Sequence, residues 1–98
     1  MKKFVILLGS EAQNQIIDFQ KYANENRLEW WHWLPNSLLI IDRSGTYTAA
    51  SLNKALNITF PSVYKLVIQV GENSRWAGFG PSSGERNMFE WLKSSWKD

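Results

Sequence analysis

A chain of 98 residues, 44% apolar and 20% charged, has the size and make-up of a single domain, residues 1–98, with one modest core. Its 11 Lys and Arg against 9 Asp and Glu leave a formal charge of +2, with no run of like charge beyond Lys2-Lys3, so a dense electrostatic footprint for nucleic acid is absent. There is no cysteine, which excludes disulfides and thiolate metal centres, and no apolar stretch is long enough to cross a bilayer.

Met1-Lys2-Lys3 precedes an apolar run, Phe4-Val5-Ile6-Leu7-Leu8, that is too short for a secretory leader and lacks a small-residue cleavage site. The reading is a cytoplasmic domain with no membrane partner, and the run itself predicts a strand buried on both faces. Ser10-Glu11-Ala12-Gln13 has the form of a capping box, and Ala12, Ile16, Phe19, Tyr22 and Ala23 continue with helical spacing to about Asn26. A second strand is expected from Leu28 to Leu34, a turn at Pro35-Asn36-Ser37, and a third strand from Leu38 to about Asp42.

Arg43-Ser44-Gly45-Thr46 breaks the pattern. Thr48 or a neighbouring residue then caps a short helix with Ala49, Leu52 and Leu56 inward, followed by a loop from Asn57 to Ser62. Val63 to Val70 alternates Tyr64, Leu66, Ile68 and Val70 with Lys65, Val67 and Gln69, as a fourth strand should. Gly71 to Gly84 holds four glycines and Pro81 and reads as a loop. Ser82-Ser83-Gly84-Glu85 offers a further capping box, opening a terminal helix with Met88, Trp91, Leu92 and Ser95 on its inner stripe and Trp96 alongside.

The order is β-α-β-β-α-β followed by a segment and a helix. This defines an α+β fold class, the ferredoxin-like split β-α-β (βαββαβ), with a core over residues 1–71 and a C-terminal extension over 72–98. Two helices then cover one sheet face. The other face needs cover as well, because Leu28-Glu29-Trp30-Trp31-His32-Trp33-Leu34 sends Trp30 and His32 to one side and Trp31 and Trp33 to the other.

Few residues suggest chemistry. His32 is the single histidine and lacks a carboxylate on its own strand face, since Glu29 points the other way. Glu11 and Asp18 lie about two helical turns apart, too far to share a metal. Asp42 beside Arg43 reads as a solvated charge pair. No catalytic residue, metal ligand or cofactor is expected. Binding is easier to support: Trp30, Trp31, Trp33, Trp76 and Phe79 are stacking surfaces, with Arg43, Lys54, Lys65, Arg75 and Arg86 as cations. Gly78-Phe79-Gly80-Pro81-Ser82-Ser83-Gly84, flanked by Arg75 and Arg86, has ingredients of a phosphate cradle but no Walker ending. The nucleic-acid or ligand-binding set is therefore Arg43, Arg75, Trp76, Phe79 and Arg86.

The first strand, the Trp30-Trp31-His32-Trp33-Leu34-Pro35-Asn36-Ser37-Leu38-Leu39-Ile40 segment, Leu66-Val67-Ile68-Gln69-Val70, Trp76-Ala77-Gly78-Phe79 and Trp91-Leu92-Lys93 together resemble the SinR-like and VapD-like relatives of the small CRISPR adaptation subunit. The resemblance implies a ferredoxin-like homodimer associated with nucleic acid or mobile-element defence, with Trp31 and Trp33 covered by a second subunit or by the chain's own terminal segment. In nuclease-competent relatives the first strand ends on a metal-binding aspartate, whereas this chain has Gly9 there, and glycine supplies no ligand atom. The expectation is a non-catalytic binding or assembly module. The alternatives are a metal-dependent endoribonuclease or nuclease, and a nucleotide-binding protein with its ligand between subunits.

Overall fold

A computed structural model describes residues 1–71 and 75–96; positions 72–74 of the expected Gly71–Gly84 loop and the end of the expected extension lie outside the described residues. The elements run β1 (Lys2–Leu8), α1 (Gln13–Glu25), β2 (Leu28–Trp31), β3 (Ser37–Asp42), α2 (Ala49–Thr59) and β4 (Lys65–Val70), then a small hairpin of β5 (Ser82–Ser83) and β6 (Arg86–Asn87), and a helical turn of π geometry at Leu92–Trp96. β1 to β4 form one sheet in the order β2-β3-β1-β4, every neighbouring pair antiparallel. The chain is thus α+β, a four-stranded antiparallel sheet with two helices, compatible with a small ferredoxin-like fold.

β1 lies inside the sheet and alternates Phe4, Ile6 and Leu8 toward the helices with Lys3, Val5 and Leu7 toward the other face. On the helix side these residues meet Leu38 and Ile40 from β3, Ile16, Phe19 and Ala23 from α1, and Leu52 and Leu56 from α2. Phe60 joins them from the end of α2, which runs past the expected Asn57 boundary. Leu52, Leu56 and Phe60 are spaced four apart, and the Phe60 N–H donates to Leu56 O at 2.8 Å, so burial of that ring draws out another turn.

Other boundaries also move. Ser10 does not cap α1, which begins after Ala12 without a side-chain cap. Ala12 is itself buried and Ile16 N–H donates to its carbonyl at 2.8 Å, so packing sets the start where propensity favoured Ser10. Thr48 does cap α2, in a reciprocal box with Ser51. β2 ends at Trp31 instead of Leu34, because the chain turns: the Ser37 N–H donates to Leu34 O, and His32 Nδ1, carrying the proton, donates to Ser37 O at 3.0 Å. β4 begins at Lys65. Its Leu66, Ile68 and Val70 pair with Leu7, Val5 and Lys3 and share the face away from the helices, leaving Val67 to pack on the helix-side core.

The Ser82–Glu85 capping box is overturned. Ser82 and Ser83 pair with Asn87 and Arg86 across a turn in which Gly84 has φ of +63°. That left-handed backbone suits glycine and closes a hairpin where a helix start was expected. The terminal helix is correspondingly short, with Leu92 and Trp96 buried on it and Met88 buried in the turn before it.

Candidate functional site

The second sheet face is partly closed by the chain itself. Trp31 from β2 and Ile41 from β3 pack against Met88, Leu92 and Trp96, with Val5, Leu39, Val70 and Phe89 around them. The strap formed by residues 75–96 is held by backbone bonds as well as by burial. The Trp31 indole N–H donates to Met88 O at 2.7 Å, and Met88 N–H donates to Pro81 O at 2.9 Å. The Phe89 N–H donates to Asn87 Oδ1 at 3.0 Å. Packing is close at Gly80, where an added Cβ would overlap Met88 Sδ and displace that side chain.

Aromatic rings finish the strap. Trp76 stacks on Phe89 with centroids 5.9 Å apart and planes 5° off parallel, and Trp91 lies tilted beside Trp96 at the same separation. The Lys3 ammonium, on a buried side chain, sits 5.7 Å from the Trp96 ring centre. The Arg86 guanidinium sits 5.5 Å from that of Trp33, so both cations have a ring face near them.

Between strap and sheet remains a cavity of about 420 Å³. Its floor is Val5, Leu39 and Val70, its walls include Trp76, Phe89 and Leu92, and Arg75 is exposed at its rim. Of the sequence-derived binding set, the fold brings Arg75, Trp76 and Phe79 to this cavity. Arg86 lies apart, over Trp33, and Arg43 is further away, in an ion pair with Glu29 on β2 that includes a 3.2 Å bond from Arg43 Nη2 to Glu29 Oε1. Trp31, expected at a dimer interface or under the terminal segment, is buried beneath that segment, and Trp33 is half-buried at its margin.

The Asp42–Arg43 pair is likewise overturned. Asp42 is buried, and its carboxylate accepts from Ser44 N–H at 3.1 Å, Ser44 Oγ–H at 2.6 Å and Tyr47 N–H at 2.8 Å. Burial works to raise its pKa, but the Ser44 hydroxyl and the backbone N–H groups of Tyr47, Gly45 and Ser44 outweigh burial and hold it below the usual carboxylate value. The Tyr47 hydroxyl lies 2.6 Å from that of Tyr22 on α1. Burial, then Tyr22 and the Asp42 charge, push the Tyr47 phenol up to about 12. This cluster ties the β3–α2 connection to α1 and is structural. The Asp-x-Ser-Gly spacing at 42–45 is its sequence signal, an aspartate that folds its own following backbone into a turn.

At the end of β1, Gly9 N–H donates to Tyr64 O at 2.7 Å, and a Cβ at Gly9 would stand 3.0 Å from Tyr64 Cβ and 3.3 Å from Tyr64 O. Any side chain there meets the backbone entering β4. Among the described residues no group of three or more His, Asp and Glu side chains is placed to hold a metal ion, and no helix is long and apolar enough to cross a membrane. Comparison with known proteins found no matching family model, no matching curated protein and no matching solved structure.

Proposed function

We propose that this chain is a non-catalytic assembly module on a ferredoxin-like split β-α-β (βαββαβ) frame, forming a homodimer along the outer edge of β4. The observation that carries this reading is an exposed apolar row on and beside that edge: Leu7 is 44% exposed, Tyr64 89%, Leu66 57% and Ile68 42%. β4 is terminal in the sheet, so among the described residues no strand pairs with its outward edge. Monomeric proteins protect such edges with charge, proline, bulges or a covering element. β4 carries one charge, Lys65, and that ammonium is drawn back to Asn57 Oδ1 at 2.7 Å and Val63 O at 3.0 Å.

A second copy suits the edge. When β4 pairs antiparallel with itself about a two-fold axis near its centre, the two Lys65 side chains fall at opposite ends and do not face one another, while Leu66 and Ile68 of both copies join one apolar stripe. The strap already covers Trp31, which favours association along the edge over association face to face. The link to nucleic acid or mobile-element defence rests on the family resemblance alone. The non-catalytic part is supported by Gly9, which offers no ligand atom at the position where active relatives hold metal and where an added Cβ would crowd Tyr64.

Light scattering coupled to size exclusion tests the assembly. The unaltered chain is expected to weigh as a dimer, and Ile68→Lys as a monomer with an unchanged circular dichroism spectrum. A unaltered chain that stays monomeric across a concentration series would refute the edge pairing. Labelled RNA and DNA incubated with Mg²⁺ or Mn²⁺ should remain intact; cleavage abolished by EDTA would overturn the non-catalytic reading.

A further inference from the structure

The cavity under the strap has a composition that selects its occupant, independently of how the chain assembles. At about 420 Å³ it falls in the range of small-molecule sites, roughly 300–1,000 Å³. Its surface is mainly hydrocarbon and aromatic with Ser37 at one side, and among the described residues Arg75 is the one ionisable side chain lining it. Arg75 makes no hydrogen bond or ion pair among the described residues, whereas Arg43 is paired with Glu29 and Arg86 sits over Trp33. The indole N–H of Trp31 is consumed by Met88 O, so it does not add a donor to the cavity.

We propose that this cavity binds a small aromatic monocarboxylate, its flat body against the apolar wall that includes the stacked Trp76–Phe89 pair and its carboxylate on the Arg75 guanidinium. A guanidinium presents paired N–H donors that match the two oxygens of a carboxylate. An aromatic and aliphatic wall favours a planar apolar guest. A nucleotide fits less well. Its several negative charges would meet a single cation, and most of its ribose hydroxyls and base edge would be pressed against apolar walls. The phosphate cradle suggested by the glycine-rich stretch is also dispersed, because Arg86 is held over Trp33 and residues 82–87 form a hairpin.

Calorimetric titration with 2-naphthoate, with its neutral counterpart 2-naphthylmethanol and with AMP tests the assignment. The unaltered chain should take up 2-naphthoate with one site per chain, and AMP at least tenfold more weakly, about the factor set by one charge-assisted pairing. Arg75→Gln, a change at an exposed position, should weaken 2-naphthoate about tenfold or more while leaving 2-naphthylmethanol as it was. Arg86→Gln should leave both unchanged. The same titrations on the Ile68→Lys chain separate this site from the assembly, since binding there should persist whatever the mass. Equal affinity for the acid in Arg75→Gln, tighter binding of AMP, or no uptake of either naphthalene compound would each overturn the proposal.

Discussion

On the helix side of the sheet, Phe19, Leu52, Leu56 and Phe60 press on Phe4, Ile6, Leu38 and Ile40 with none of these side chains touching solvent. On the opposite side, closure falls to a strap of aromatic residues whose regular structure is a two-plus-two residue hairpin and one helical turn. Helices close a face through periodicity, so each turn adds another buried residue and its own backbone bonds. The strap has little such internal bonding, and it depends on ring size and on a few bonds into the sheet such as Trp31 to Met88. It also covers only part of its face, reaching Val5 and Val70 but leaving Leu7, Leu66 and Ile68 exposed. The lesson is that one sheet carries both a cooperative core and a separable one, and that the cavity and the free edge lie on the separable side.

The sharpest way to break this contrast is to cut into each side and compare. Phe60→Ala empties the helix-side core and should cost about 3–5 kcal/mol, with a single earlier transition in urea by every probe. Trp96→Ala on the strap should cost less, about 2 kcal/mol, because the segment lifts away and leaves no sealed void. In that variant tryptophan fluorescence should shift at lower urea than the far-ultraviolet dichroism. Coincident curves and equal losses would show that the two faces form one core.

A smaller effect sharpens the helix side. Asp42 titrates below its usual value, so its contribution is complete above about pH 3.8 and disappears as pH falls through the depressed folded value. Asp42→Asn should therefore lower stability by about 1 kcal/mol at neutral pH and flatten the acid limb of a stability profile. An unchanged acid limb would remove Asp42 from that account. The smallest effect belongs to Arg43→Gln, an exposed pair with Glu29 expected to move the urea midpoint by less than about 0.5 kcal/mol equivalent. A larger shift would place Arg43 in a role that its exposure does not explain.

Where a residue's partners were near it in sequence, or its pattern was periodic, the chain was legible before its structure. β1, β3, the Thr48 cap and the inward stripe of α2 follow from apolar runs, a hydroxyl before a helix, and spacing of three and four. Phe60 was readable by the same spacing, but Pro61 beside it argued for a loop. Ser10 had the local chemistry of a cap and lost to the burial of Ala12 and Ile16, a tertiary effect. Asp42 seemed an exposed charge because its neighbour Arg43 was the visible partner, while its true partners are backbone N–H groups fixed by a turn. In the binding set, Arg75, Trp76 and Phe79 come to one place because they are close in sequence. Nothing local could say that Arg43 lies at Glu29 or that Arg86 lies over Trp33, since those distances are set by the sheet and the strap.

The strap also has a consequence for the order in which the molecule is made. The four strands of the sheet have all been translated once Val70 is joined, yet Trp31, Ile41 and Leu39 gain much of their cover from the strap, which is made later. During that interval a nascent chain presents a broad aromatic and aliphatic surface of the kind that holdase chaperones grip and that neighbouring nascent chains join. Slowing translation between Val70 and Met88 would lengthen the exposure, and yield in the cell would then follow synthesis speed more closely than the equilibrium stability of the finished fold.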